Sequence, residues 1–216
     1  MKTESVFFDL DGTLVNSEMG VTRSVVYALE KFGIEETDRA KLLKFLGPPL
    51  TYSFKTFYGF DAESADRAVA YYRERYTSVG IHENEVYDGI PELLRSLKES
   101  GRRVFVATSK PEHFAKAILS ELGLDIYFDG IYGSTLDESR STKDRVLEYA
   151  IKEAAITDKS RAIMVGDRYH DVEGAKVNGI DCIGVLFGFG DREELLGAGA
   201  VSVVETAYEL EKILLK

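Results

Sequence analysis

One cysteine, Cys182, stands among 216 residues, so neither a disulfide framework nor a cysteine-based metal site can be built. It reads as a core thiol in a reducing cytoplasm. No run of apolar residues approaches the ~18 needed to cross a bilayer, and no basic stretch leads into a long apolar one near residue 1. Neither membrane insertion nor a signal peptide is therefore expected, and the expected location is cytoplasmic. Positive charge is also short, with 27 Lys and Arg against 37 Asp and Glu, a formal charge of −10. That excess argues against nucleic-acid polymers or anionic membranes held by bulk electrostatics. An enzyme of anionic substrates would need its cations concentrated locally, from a metal or from a few Lys and Arg. The rest is ordinary globular composition, 44% apolar, long enough for one large domain or for one domain with a smaller insert.

Hydrophobic periodicity divides the chain. Val6, Phe7 and Phe8 form a short apolar run that reads as a buried strand. Residues 17–32, 40–46, 50–58 and 61–79 read as four helices closed by glycines or by Gly47-Pro48-Pro49, with no strand among them. From residue 83 onward helices alternate with strands. The helices are expected at 91–100, 111–122, 143–155, 171–178 and 206–215, and the strands at 103–107, 131–132, 162–165, 181–185 and 201–204. Such alternation predicts βαβ crossovers and a parallel α/β sheet. Residues 1–15 and 83–216 are expected to form that α/β core, and residues 16–82 an inserted all-helical domain.

Polar groups gather where the apolar runs end. After Phe8 come Asp9-Leu10-Asp11-Gly12-Thr13. Beyond the carboxyl end of a strand, two acids can bind a divalent cation, attack an electrophile or shuttle a proton. The competing reading is a β-hairpin turned at Asp11-Gly12. The expected strand at 103–107 runs into Thr108-Ser109-Lys110, either an anion site or merely a helix cap. The strand at 162–165 runs into Gly166-Asp167, with Asp171 near the start of the next helix, which is also consistent with nothing more than an acidic helix N-terminus. Lys143 opens a helix, where a cation opposes the helix dipole; a pocket of carboxylates and phosphate would explain that placement, and a solvated surface lysine, the commoner case for one lysine, is the alternative. Lys110 competes with it for that role.

Taken in order, Asp-x-Asp-Gly-Thr, Thr-Ser, Lys and Gly-Asp-x-x-x-Asp resemble the haloacid dehalogenase-like (HAD-like) superfamily of phosphohydrolases. The resemblance spans the whole chain and likens the helical insert to that superfamily's small cap domain. It implies a Rossmann-like core, with Asp9 as nucleophile and Asp11 as general acid/base. It further implies Thr108 and Ser109 at the phosphoryl group, Lys143 neutralising it, and Mg²⁺ held by Asp9, the Asp11 carbonyl and Asp167, with Asp171 in support. Asn16 within 11–17, Gly47-Pro48-Pro49-Leu50 and Phe128-Asp129-Gly130-Ile131-Tyr132-Gly133 are similar to phosphoglycolate phosphatases and bacterial 5′-nucleotidase-like proteins. A small phosphorylated metabolite and a monomer or homodimer are the corresponding expectations. The insert is expected to close over the site on hinges near 14–17 and 82–87, with Gly47, Pro48 and Pro49 facing the leaving group and setting specificity. Tyr52, Tyr58, Tyr71, Tyr72 and Tyr76 either stack on a base or pack the helices. Rival readings are a phosphomutase of the β-phosphoglucomutase type, a dehalogenase, which would not need Asp11 and Asp167, and a phospho-accepting signalling module.

Overall fold

The computed structural model describes residues 3–137 and 139–216. Its elements, in chain order, begin with β1 (Ser5–Phe8), β2 (Val15–Asn16), α1 (Glu18–Glu30), α2 (Arg39–Leu43), α3 (Leu50–Tyr58), α4 (Ala62–Ser78) and β3 (Glu85–Val86). There follow α5 (Ile90–Glu99), β4 (Arg103–Pro111), α6 (Glu112–Glu121), β5 (Gly130–Ser134), α7 (Lys143–Glu153) and β6 (Ala162–Gly166). The chain finishes with α8 (Tyr169–Val177), β7 (Asp181–Val185), α9 (Arg192–Ala198), β8 (Ser202–Val204) and α10 (Ala207–Leu214). Two compact units result, one of Met1–Val15 and Val86–Lys216, the other of Asn16–Glu85. Among the described residues, no helix is long and apolar enough to cross a membrane.

The first unit is built on a parallel sheet in the order β5-β4-β1-β6-β7-β8. After Ser5, β1 is apolar because it lies in the middle, between β4 (Val6 opposite Val104) and β6 (Val6 opposite Ile163). One core packs β1, β4, β6 and β7 against α7 and α8, through Phe7, Phe105, Val146, Leu147, Met164 and Val172. The Phe7 and Phe105 rings stack at 4.9 Å. Cys182 lies in this core, a buried thiol whose pKa burial pushes up. α5 and α10 pack on each other through buried leucines, among them Leu94, Leu97 and Leu210. Strand order turns back at β1, so the carboxyl ends of β4, β1 and β6 lie side by side, the place where open α/β sheets gather their ligands.

The second unit is helical. α1 and α3 both pack on α4, burying Val25, Leu29, Phe54, Ala65, Ala68 and Val69. Phe45 meets Phe54 and Phe57 edge-on at 5.0 and 5.6 Å. Gly20 of α1 and Gly80 touch so closely that a methyl group on either would strike the other's backbone.

Several elements depart from expectation. α2 stops at Leu43 rather than 46, because Phe45 and Leu46 leave the helix to bury their side chains. β4 continues through Thr108 to Pro111 instead of ending at 107, its register with β5 slipping between Thr108 and Pro111. α8 begins at Tyr169, where the Arg168 N–H donates to Asp171 Oδ2 at 3.1 Å. α9 was not anticipated. It carries only two leucines, and its clearest signal is Asp191, whose carboxylate accepts from Glu194 N at 2.8 Å.

Candidate active site

Asp9 leaves β1 still hydrogen-bonded to the sheet, its N–H donating to Val165 O at 2.9 Å, and its own Oδ1 accepts from Leu10 N at 2.7 Å. The chain then turns tightly through Gly12, at φ +79°, with the Gly12 N–H donating to Val15 O. There is no hairpin here: β1 pairs in parallel with β4 and β6, and β2 pairs with β3. Gly12 is demanded twice over. Its φ favours glycine, and a Cβ there would run into the Asp167 carboxylate.

Asp167 follows β6 and is fully buried. Thr13 Oγ1 donates to its Oδ1 at 3.3 Å and the Phe189 N–H to its Oδ2 at 2.8 Å. Asp171, in the first turn of α8, is buried too, and Gly166 leaves the room its carboxylate occupies. Lys143, the first residue of α7, is 6% exposed. Its Nζ lies 2.8 Å from Asp9 Oδ1 and 2.7 Å from Asp171 Oδ1, and it donates to Ala107 O at 3.3 Å.

One carboxylate oxygen from each of Asp9, Asp167 and Asp171 falls within 4.8 Å of the others. Burial pushes Asp9 up to about 6; Lys143 opposes this and Asp171 adds to it. Burial, then Asp171 and Asp9, hold Asp167 well above the usual carboxylate range. Burial works against the Lys143 charge, but Asp171 and Asp9 outweigh it and raise its pKa. Lys143 pairs with two of these three buried acids, Asp9 and Asp171, so ionising all three would leave negative charge in excess. An all-oxygen, anionic donor set of this kind fits a hard divalent cation.

Asp11 lies apart from these three. Its carboxylate faces Lys110, whose Nζ is 2.8 Å from Oδ1 and 2.7 Å from Oδ2. Thr108 is buried and Ser109 half-buried, both within extended β4. Neither caps α6, whose N-cap is Pro111 with no side-chain cap bond; Thr108 Oγ1 accepts instead from Lys110 N at 3.2 Å. An anion near Thr108 would therefore meet extended strand rather than a helix N-terminus.

Gly47, Pro48 and Pro49 lie in the helical unit between α2 and α3, with Gly47 at φ +107°. Among the tyrosines there, Tyr72 and Tyr76 are buried with rings stacked at 5.2 Å, and Tyr71 meets Phe32 edge-on. The Tyr58 hydroxyl donates to Glu36 at 2.9 Å, whereas Tyr52 is exposed.

Sequence reasoning placed Thr13 in the first motif without a role and overlooked the loop Phe187-Gly188-Phe189-Gly190. A Cβ on Gly188 would meet the Gly12 carbonyl and Asp167, and one on Gly190 would meet the Asp167 backbone oxygen. Two glycines at alternate positions just past β7 were the available signal of close backbone approach.

A family model described as haloacid dehalogenase-like hydrolase matches residues 6–185. A 5′-nucleotidase of Pseudomonas aeruginosa is 45% identical over 195 residues, covering 90% of this chain and 88% of that protein. The tyrosine-protein kinase PtkA of Mycobacterium tuberculosis is 36% identical over 208 residues, covering 96% of this chain and 70% of that protein. The crystal structure of a predicted phosphatase from Clostridium acetobutylicum superposes with a TM-score of 0.96 at 49% identity, covering 100% of this chain and 99% of that one.

Proposed function

The chain belongs to the haloacid dehalogenase-like hydrolase family, and from that premise we propose that it hydrolyses small phosphate monoesters through a phosphoryl group held on Asp9. The observation that carries this reading is the buried Asp9 carboxylate, 2.8 Å from Lys143 and clustered with Asp167 and Asp171. Asp9 is the nucleophile. One of its oxygens attacks phosphorus, the ester bond breaks, and Asp11 protonates the departing oxygen. In the second half Asp11 takes a proton from the water that attacks the aspartyl-phosphate, restoring Asp9 and releasing inorganic phosphate. Lys143 offsets the charge that builds on the phosphoryl oxygens and keeps the Asp9 oxygen aimed. Thr108, with Ser109 beside it, binds a phosphoryl oxygen from the end of β4.

Asp9, Asp167 and the Asp11 carbonyl would hold Mg²⁺, with Asp171 steadying Asp9 through Lys143. When bound, the ion screens the repulsion between an anionic nucleophile and an anionic substrate. The helical unit acts as a cap, with Gly47, Pro48 and Pro49 reading the leaving group. A nucleoside 5′-monophosphate stands first among substrates, on the strength of the 45% identical 5′-nucleotidase, and phosphoglycolate second. The relative named as a tyrosine-protein kinase makes phosphoryl transfer to an acceptor other than water the second reading.

A panel of phosphorylated metabolites, ranked by kcat/KM with Mg²⁺, tests the reading. Inorganic phosphate should appear in step with substrate loss, and EDTA should abolish it. Full activity after rigorous metal removal contradicts the metal assignment, and substrate loss without free phosphate points to transfer onto another acceptor.

A further inference from the structure

Lysine is costly to bury, yet among the described residues the first unit buries two of them at the same end of the sheet. Lys143 is accounted for by Asp9 and Asp171. The Lys110 side chain is only 5% exposed, and its Nζ sits between the two oxygens of Asp11, at 2.8 and 2.7 Å. An Asp carboxylate on a turn is free to rotate about its terminal torsion. A single ammonium within reach of both oxygens removes that freedom. β4 places the ammonium there: it stays extended past Thr108, slips register before Pro111, and ties the Lys110 N–H to Thr108 Oγ1.

We infer that Lys110 is a positioning residue, holding the Asp11 carboxylate in the orientation from which it exchanges protons with the leaving oxygen and then with water. This rests on the reading of Asp11 as the acid/base. Lys110 acts on the reaction through Asp11, while the phosphoryl charge falls to Lys143. The loss of Lys110 should therefore look like a loss of proton transfer and not like a loss of phosphate affinity.

Leaving groups separate the two. An alkoxide needs its proton as the ester bond breaks, whereas p-nitrophenolate departs without one. kcat/KM extends only to phosphoenzyme formation, so it reads that step for both esters. Lys110→Met, close in length and without charge, should lower kcat/KM for an alkyl phosphate about tenfold or more beyond any loss with p-nitrophenyl phosphate. Asp11→Asn should show the same skew, and adding Lys110→Met to it should cost less than about twofold further. Lys110→Arg, whose planar guanidinium spans two carboxylate oxygens, should restore the wild-type ratio between the esters. Should the Met variant fail to fold, Lys110→Gln provides the same comparison.

Equal losses on both esters, multiplying with those of Asp11→Asn, would overturn the inference and place Lys110 on the phosphoryl group. A skew missing from Asp11→Asn itself would have a different meaning: the acid/base reading would fall, and the positioning role with it.

Discussion

At the scale of single residues the site rests on what glycine permits. Gly12 turns the chain at φ +79° and leaves the space that Asp167 fills. Ala at this position must bear the left-handed backbone, about 1–2 kcal/mol, and must also displace a carboxylate held by Thr13 and Phe189. Gly12→Ala should therefore weaken Mg²⁺ binding and lower kcat by about a hundredfold, well beyond its effect on stability. Calorimetric Mg²⁺ titration alongside kcat checks this; unchanged metal affinity would mean that Asp167 tolerates the displacement. Asp9, Asp167 and Lys143 were legible as positions in the sequence, because an acid past an apolar run and a lysine at a helix start each break an ordinary pattern. The partnership of Lys110 with Asp11 was not. It joins residues 99 apart, and it depends on β4 staying extended beyond the point where its apolar run ends.

Among the elements, β1, β6 and β7 were legible because a strand buried on both faces carries a continuous apolar run, here broken only at Ser5 and the exposed Asp181 where β1 and β7 begin. Two-residue β2 and β3 have no period to read, and α9 has too few apolar residues to show one. What joins α1 to α4 at their polar ends is Glu83. It takes Arg23 at 2.7 Å, and Arg75 at 2.9 Å through one oxygen and 3.1 Å through the other. Arg75 holds the Glu83 carboxyl below its usual value of 4.5, with Arg23 adding to the effect and partial burial opposing it. A depressed acid stabilises the fold fully above its unfolded pKa and loses that contribution as pH falls through the folded one. Glu83→Gln should thus destabilise the protein by about 1–2 kcal/mol at pH 7, and the gap to wild type should close below about pH 4. Urea unfolding followed by circular dichroism at pH 7 and pH 3 measures the gap. An equal gap at both would assign the effect to shape rather than charge.

For the molecule as a whole, acidity and catalysis of an anionic substrate are reconciled by placement. Of the 27 Lys and Arg in a chain of net charge −10, two lysines are buried at the carboxyl end of the sheet, each against a carboxylate. Composition shows the deficit but not the placement, because only the order β4-β1-β6 brings Lys110, Asp9 and Asp167 to neighbouring strand ends. In the proposed reaction Asp9 carries the phosphoryl group. Rapid acid quench during turnover, followed by mass spectrometry of the peptide containing Asp9, tests it most directly. A phosphoryl group should appear on Asp9, sensitive to hydroxylamine, forming at least as fast as kcat and absent from Asp9→Asn, which should be inactive. Phosphate release with no phosphorylated Asp9, and an Asp9→Asn variant keeping more than about a hundredth of wild-type kcat, would contradict it.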